Sequence, residues 1–259
     1  MRLDISGEER AQESAFQTVE KLLRTSLADH DQRELFLLAF VEALANAVEH
    51  GNRGDPAAGV LVEAAGAPGA AAFSITDQGR GHAPVIPELS QVQGKRGRGL
   101  AFIQLYSDNL FFNRAGNQIV CLKGGRTMIQ ETAHATARVS LLPRGVVVVT
   151  DINTRESVFS GVGELLDALS RHNWRRIFLD LKGIRLITSA VWGYIFAEAG
   201  REQSELLVLF NAPQAVMASA EAMGVKVRRG DYAKIRVYED ADEAFRLLAA
   251  ALERPNGAS

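Results

Sequence analysis

The chain changes rhythm near its middle, and that change most limits what it can fold into. From about residue 139, short apolar runs alternate with helix-period segments. Val139–Leu142 and Val146–Thr150 read as a hairpin over Pro143-Arg144-Gly145, followed by a helix over Ser160–His172 and a strand at Ile177–Leu181. A helix over Ala190–Gln203, a strand at Leu206–Phe210, a helix over Pro213–Met223, a strand at Ile235–Tyr238 and a helix over Asp240–Leu252 complete the pattern. Such alternation predicts a mainly parallel sheet with crossover helices. The first half is ordered differently. It opens with helices over Ala11–Leu27 and Gln32–His50, the second stopped by Gly51. Strands Val60–Ala65 and Ala71–Thr76, a Gly-rich polar segment Asp77–Gly99, a helix over Leu100–Leu105 and a hairpin of Leu110–Arg114 with Gln118–Leu122 follow. Gly124–Ala137, with a glycine pair and no sustained period, reads as the linker. The expectation is an α+β and α/β two-domain chain, divided as 1–130 and 136–259, which suits a length of 259 residues.

Composition narrows the function classes. With 47% apolar and 23% charged residues the chain can bury one or two cores, and a largely disordered chain is excluded. There are 29 basic and 31 acidic residues. A general nucleic-acid binder needs a basic excess, so direct binding to DNA or RNA is not expected. One cysteine, Cys121, allows neither an internal disulfide nor a cysteine-based zinc site; it reads as a buried structural thiol. The start carries no apolar core of a secretory signal, and no run approaches the ~18 apolar residues of a membrane span. The expectation is a cytoplasmic protein without membrane contact.

Three segments carry chemistry. In the helix over Gln32–His50, Leu37, Leu38, Val41, Leu44, Ala45 and Val48 form one apolar stripe at 100° per residue. Glu42, Asn46 and His50 line up on the other side, beside Ala39, Ala43 and Ala47. A carboxylate, an amide and an imidazole set among alanines suit close approach of something small; the other reading is the polar face of a surface helix. Asp77-Gln78-Gly79-Arg80-Gly81 directly follows a strand, and its two glycines allow a turn with backbone near a ligand. Gly97-Arg98-Gly99-Leu100 directly precedes a helix, where free N–H groups and the positive dipole end favour phosphate, with Lys95 and Arg96 adding charge. Neither glycine pair forms a Walker A or a Rossmann fingerprint.

The ordered triple resembles the GHKL ATPases, the Bergerat-type α/β sandwich shared by histidine kinases, gyrase-type ATPases and anti-sigma factor serine kinases. VEALANAVEHGN resembles the family's N box, ITDQGRG its G1 box and GRGLAFI its G2 box, over about residues 1–130. The resemblance implies that Asn46 holds Mg²⁺ bridging the ATP phosphates and that Asp77 accepts from the adenine amino group. It further implies that Gly79 and Gly81 shape the adenine pocket, that Gly97, Arg98 and Gly99 cover the phosphates, that His50 belongs with the cofactor-binding residues, and that Glu42 is the general base. About fifteen residues separate Gly81 from Gly97, a short lid similar to that of the anti-sigma serine kinases. A histidine kinase would need a phosphoacceptor helix for which the chain has no room.

Residues 136–259 resemble a STAS domain, the mixed-sheet fold of anti-sigma factor antagonists, through the stretch Ile177-Phe178-Leu179-Asp180-Leu181 to Ile187-Thr188-Ser189-Ala190. The resemblance places the antagonist's phosphorylated serine on Ser189. Thr188 stands where the family has Asp, Val191 where Gly is common, and Trp192 adds bulk. Two roles are open for Ser189: phosphoacceptor at a helix start, or helix cap. Together the resemblances imply a partner-switching regulator of bacterial transcription. It would be an ATP- and Mg²⁺-dependent protein serine/threonine kinase acting on Ser189 or on a separate antagonist, with a sigma factor or antagonist as partner and a homodimer as its state. The alternatives are a non-catalytic, nucleotide-gated scaffold and the ATPase module of a histidine kinase. Trp174 and Trp192 read as core or interface residues, and Arg175-Arg176 and Arg228-Arg229 as solvated pairs.

Overall fold

The computed structural model describes residues 1–5, 9–55, 57–81, 98–155, 158–225 and 234–253. It divides into two units, Met1–Gly125 and Arg126–Ser259.

In the first unit, helix α1 (Glu9–Ser26) sets Ala15, Val19 and Leu23 in the core at helical spacing. Helix α2 (His30–Asn46) starts at Asp29, whose carboxylate accepts from the Gln32 amide at 2.8 Å. Such a cap is worth about 1 kcal/mol. Strands β1 (Arg2–Ile5), β2 (Val60–Ala67), β3 (Ala70–Thr76), β4 (Asn109–Phe112) and β5 (Gln118–Gly124) form one antiparallel sheet in the order β1-β2-β3-β5-β4. Helix α3 (Gly99–Tyr106) precedes β4 and packs on α2. The helices meet the sheet around Phe73, whose ring lies 5.0 Å from that of Phe36 and 5.5 Å, edge-on, from that of Phe40.

That packing corrects the apolar stripe expected for α2. Phe36, Ala39, Phe40, Ala43 and Ala47 are buried with Leu37 and Leu44, whereas Leu38 is 50% and Val41 41% exposed. The alanines are core residues that let the helix approach the sheet closely, and the two phenylalanines fix its rotation. The helix does not stay α-helical to His50. Ala47–Gly51 form one π-helical turn, closed by the Asn52 amide donating to Ala47 O at 2.8 Å. The sequence reading also missed β1, which pairs with β2 from Arg2↔Glu63 to Ile5↔Val60.

The second unit is one six-stranded sheet in the order β11-β10-β9-β8-β7-β6. Its strands are β6 (Arg126–Glu131), β7 (Ala135–Leu142), β8 (Val146–Thr154), β9 (Arg176–Asp180), β10 (Leu206–Phe210) and β11 (Ile235–Val237). β6, β7 and β8 are antiparallel, and β8 to β11 run parallel. Helices α4 (Val158–Ser170), α5 (Ser189–Ala199) and α6 (Gln214–Ala222) are the crossovers, and α7 (Asp242–Glu253) ends the described chain. Val147, Val149, Ile177, Leu179, Leu207 and Leu209 share one core with Leu165, Leu169, Trp192 and Val216 from the crossover helices. The alternate residues Val146, Val148, Phe178, Val208 and Phe210 are also buried, and α7 packs against β8, β9 and β10. Strands buried on both faces explain the continuous apolar runs read from the sequence. Trp174 and Trp192 are both core residues.

The linker expected at Gly124–Ala137 is not one. Arg126–Glu131 pairs along its length with β7, and the units divide between Gly125 and Arg126, five residues before the expected 130. Its residues are all exposed or half-buried, so no sustained apolar period marks β6 in the sequence. Pro213 is the cap of α6 rather than its first residue, and α5 stops at Ala199, short of Gln203.

Candidate functional site

A cavity of about 380 Å³ opens where α2 ends in its π turn. Ala43, Asn46, Ala47, His50 and Gly51 line one wall. Ile75 from β3 and Asp77 just after it, Leu100 and Ile103 from α3, Gly116 and Asn117 from the β4–β5 turn, and Gln118 and Ile119 from β5 line the others. The walls are largely apolar, with polar groups at two ends, the usual build of a small-molecule site.

At one end, α3 begins against α2. A Cβ on Gly99 would lie 3.1 Å from both Asn46 Nδ2 and Glu42 Oε2, so the first residue of α3 sits directly over these two side chains. Asn46 Nδ2 is buried and has no hydrogen-bond partner among the described residues. A buried, unused donor costs roughly 1–3 kcal/mol, and native structures keep few of them. Glu42 is half-buried beside it. Arg98 is exposed at the cap position of α3 with no side-chain cap bond. Gly97, Lys95 and Arg96 lie outside the described residues.

At the other end, backbone contacts hold Asp77. A Cβ on Gly51 would lie 2.3 Å from Asp77 Cγ, and one on Gly79 would lie 2.4 Å from Gly51 O. The Gly79 amide donates to Asp77 Oδ1 at 2.7 Å. Gly81 has φ +68, and a Cβ there would lie 2.0 Å from Ala115 O. Three glycines are thus required by close approach and, at Gly81, by a left-handed backbone as well. The Asp77 amide donates to Asn117 O at 2.9 Å, and Asn117 Nδ2 donates to Asp77 O at 2.9 Å. Asn113 Oδ1 in turn accepts the amides of Gly116 at 2.7 Å and Asn117 at 3.1 Å. Asn52, buried, donates to Ala58 O and Gly59 O and accepts the Gln78 amide at 2.9 Å.

The structure therefore brings Asn46, His50, Asp77 and Gly81 to one cavity, with Glu42, Gly79 and Gly99 packed against its lining. His50 is exposed on the π turn. The sequence reading missed Gly51, Asn52, Asn113 and Asn117. Single asparagines are common in turns, so only the spacing of Asn113 to Asn117 across a hairpin could have flagged them. Ser189 belongs to the second unit. It is the first residue of α5 and is exposed, and the cap is Thr188, whose hydroxyl accepts from the Val191 amide at 3.5 Å. The helix-cap role open for Ser189 thus falls to its neighbour.

Two other titratable groups lie apart from the cavity lining. Burial pushes the Cys121 thiol up to about 12, which leaves it an inert core residue. Burial also pushes the Asp180 carboxyl, at the end of β9, up to about 6, against hydrogen bonds from Asn211 Nδ2 and the Lys182 amide, both at 2.9 Å. No helix among the described residues is long and apolar enough to cross a membrane.

No curated protein matches the chain. Residues 5–123, the greater part of the first unit, match the family model of the histidine kinase-like ATPase domain, and this stretch is similar to GHKL-type ATPases.

Proposed function

We propose that the first unit binds Mg-ATP and transfers its γ-phosphoryl group to a serine of a STAS-type domain. The acceptor is Ser189 of the second unit or a serine of a separate antagonist. The observation that carries this reading is the unused Asn46 Nδ2 beneath the start of α3, in one cavity with an Asp77 packed between Gly51 and Gly79. The donor set fits the group. The Asn46 carbonyl oxygen suits a hard cation, its Nδ2 suits a phosphate oxygen, and the Asp77 carboxylate suits an exocyclic amino group. Among the described residues no cluster of three or more His, Cys, Asp or Glu could hold a metal ion. Mg²⁺ at Asn46 would draw its other ligands from phosphate and water, and its chemistry would be charge neutralisation on the phosphates.

Glu42 would take the proton of the serine hydroxyl as the new O–P bond forms and the bond to the β-phosphate oxygen breaks. Arg98 and the α3 amide groups would face the phosphates. The reading extends to a homodimeric partner-switching regulator in the cytoplasm, in which the unphosphorylated antagonist surface docks and frees a sigma factor, and a phosphate on exposed Ser189 adds charge to that surface and breaks the docking. A second reading, a nucleotide-gated scaffold without transfer, is favoured by Thr188 in place of an acidic residue and by the buried Val191 and Trp192 one helical turn on. Intact-mass measurement with peptide mapping, before and after incubation with Mg-ATP, separates them. Transfer predicts one added phosphate at Ser189, or on an added antagonist, and its loss in Glu42→Gln. A chain that binds nucleotide but never gains or passes on phosphate is the scaffold.

A further inference from the structure

We infer that Arg53 contacts the nucleotide base, laying its guanidinium plane against the ring held beside Asp77. The inference deepens the nucleotide reading and rests on it. Arg53 lines the same cavity as Asp77 and is exposed. Its backbone is left-handed, with φ +56. That conformation is uncommon for a residue with a side chain and is held only where the surroundings dictate it. The surroundings here are explicit. Asn52, directly before it, is fixed by three side-chain hydrogen bonds, and the Gly54 amide, directly after it, donates to Val48 O at 3.0 Å. A glycine would serve this turn without strain, so the side chain is what arginine adds.

Among the described residues that side chain has no hydrogen-bond or ion-pair partner. Its position selects the base over the phosphates. Gly51 presses on Asp77, and Asn52 is bonded to the Gln78 amide, so the Arg53 segment is tied to the Asp77 end of the cavity. Asn46 and Gly99 form the other end. A guanidinium stacks on aromatic faces through its planarity as well as its charge, which an ammonium cannot reproduce.

The test titrates the full chain and its Arg53→Gly and Arg53→Lys variants with ATP, ADP and adenosine, alongside thermal melting. A base contact predicts that Arg53→Gly weakens all three ligands by the same factor, roughly three- to tenfold. Arg53→Lys should lose most of that affinity too. The melting temperature of Arg53→Gly should not fall, because strain is relieved. Undiminished binding by Arg53→Gly overturns the inference alone. So does a loss confined to ATP and ADP, which would make Arg53 a phosphate contact. If the unaltered chain binds none of the three ligands, the nucleotide reading fails and takes this inference with it.

Discussion

Asn46 and Asp180 each place a buried polar atom against an apolar core, one in each unit, and the fold treats them in opposite ways. Asp180 is nearly enclosed at the end of β9, yet its Oδ1 accepts two hydrogen bonds, from Asn211 and from the Lys182 backbone. Asn46 lies at the rim of a cavity, and its Nδ2 is left with no partner among the described residues. A satisfied polar group inside a core secures local structure, here the exit from β9 into the loop before α5. An unsatisfied one at a cavity wall is a cost that a ligand can remove. An unused donor at the end of α2 is what the proposed nucleotide site calls for, and the two bonds to Asp180 are what a scaffold position calls for.

The largest effect is expected from Gly81→Ala. A Cβ at 2.0 Å from Ala115 O, on a backbone at φ +68, can be accommodated only by moving the β4–β5 turn that also holds Asp77. Loss of about 3 kcal/mol in urea unfolding, together with loss of nucleotide binding, is the expected result. A mild change in both would show that the Asp77 end is less tightly built than the contacts imply.

Asp180→Asn comes next, and its sign follows from the raised carboxyl. The folded state disfavours the charged form, so wild-type stability is full below the ordinary value of 3.8 and is lost as pH rises through about 6. The variant keeps the acceptor oxygen and removes the charge. It should be more stable than wild type by up to roughly 3 kcal/mol at neutral pH, with the gain vanishing below about pH 4. Urea midpoints across that range would show it. A variant less stable at neutral pH would mean that the charge itself is needed at the end of β9, and the contrast with Asn46 would weaken.

What the sequence made legible, and what it hid, follows from the same physics. Gly79 and Gly81 could be read because only glycine fits a backbone packed that closely, and the spacing of Glu42 and Asn46 is what one helix face imposes, whereas His50 lies beyond that face on the π turn. The strand–helix alternation after residue 139 was equally legible, since a sheet buried on both faces needs unbroken apolar runs. The core stripe of α2 was not. Leu38 and Val41 are strongly apolar and yet point outward, while the buried alanines carry little hydrophobic signal. β6 was hidden for a similar reason, with Ile129 56% exposed and Met128 only half-buried. Asn52 and Asn117 tie the site together through the Gln78 amide and the Asp77 carbonyl, 26 and 40 residues away, and no local pattern reports that.

The most direct measurement is a calorimetric titration of Mg-ATP into the full chain and into Asn46→Ala, with thermal melting of both. The account predicts that the chain binds and that Asn46→Ala binds at least about tenfold more weakly, the usual scale for a hydrogen bond to a charged group. Its melting temperature should not drop, since the deleted amide has no partner to lose. Equal affinity in the two proteins, or no binding by either, would contradict the assignment of the α2 end as a nucleotide site.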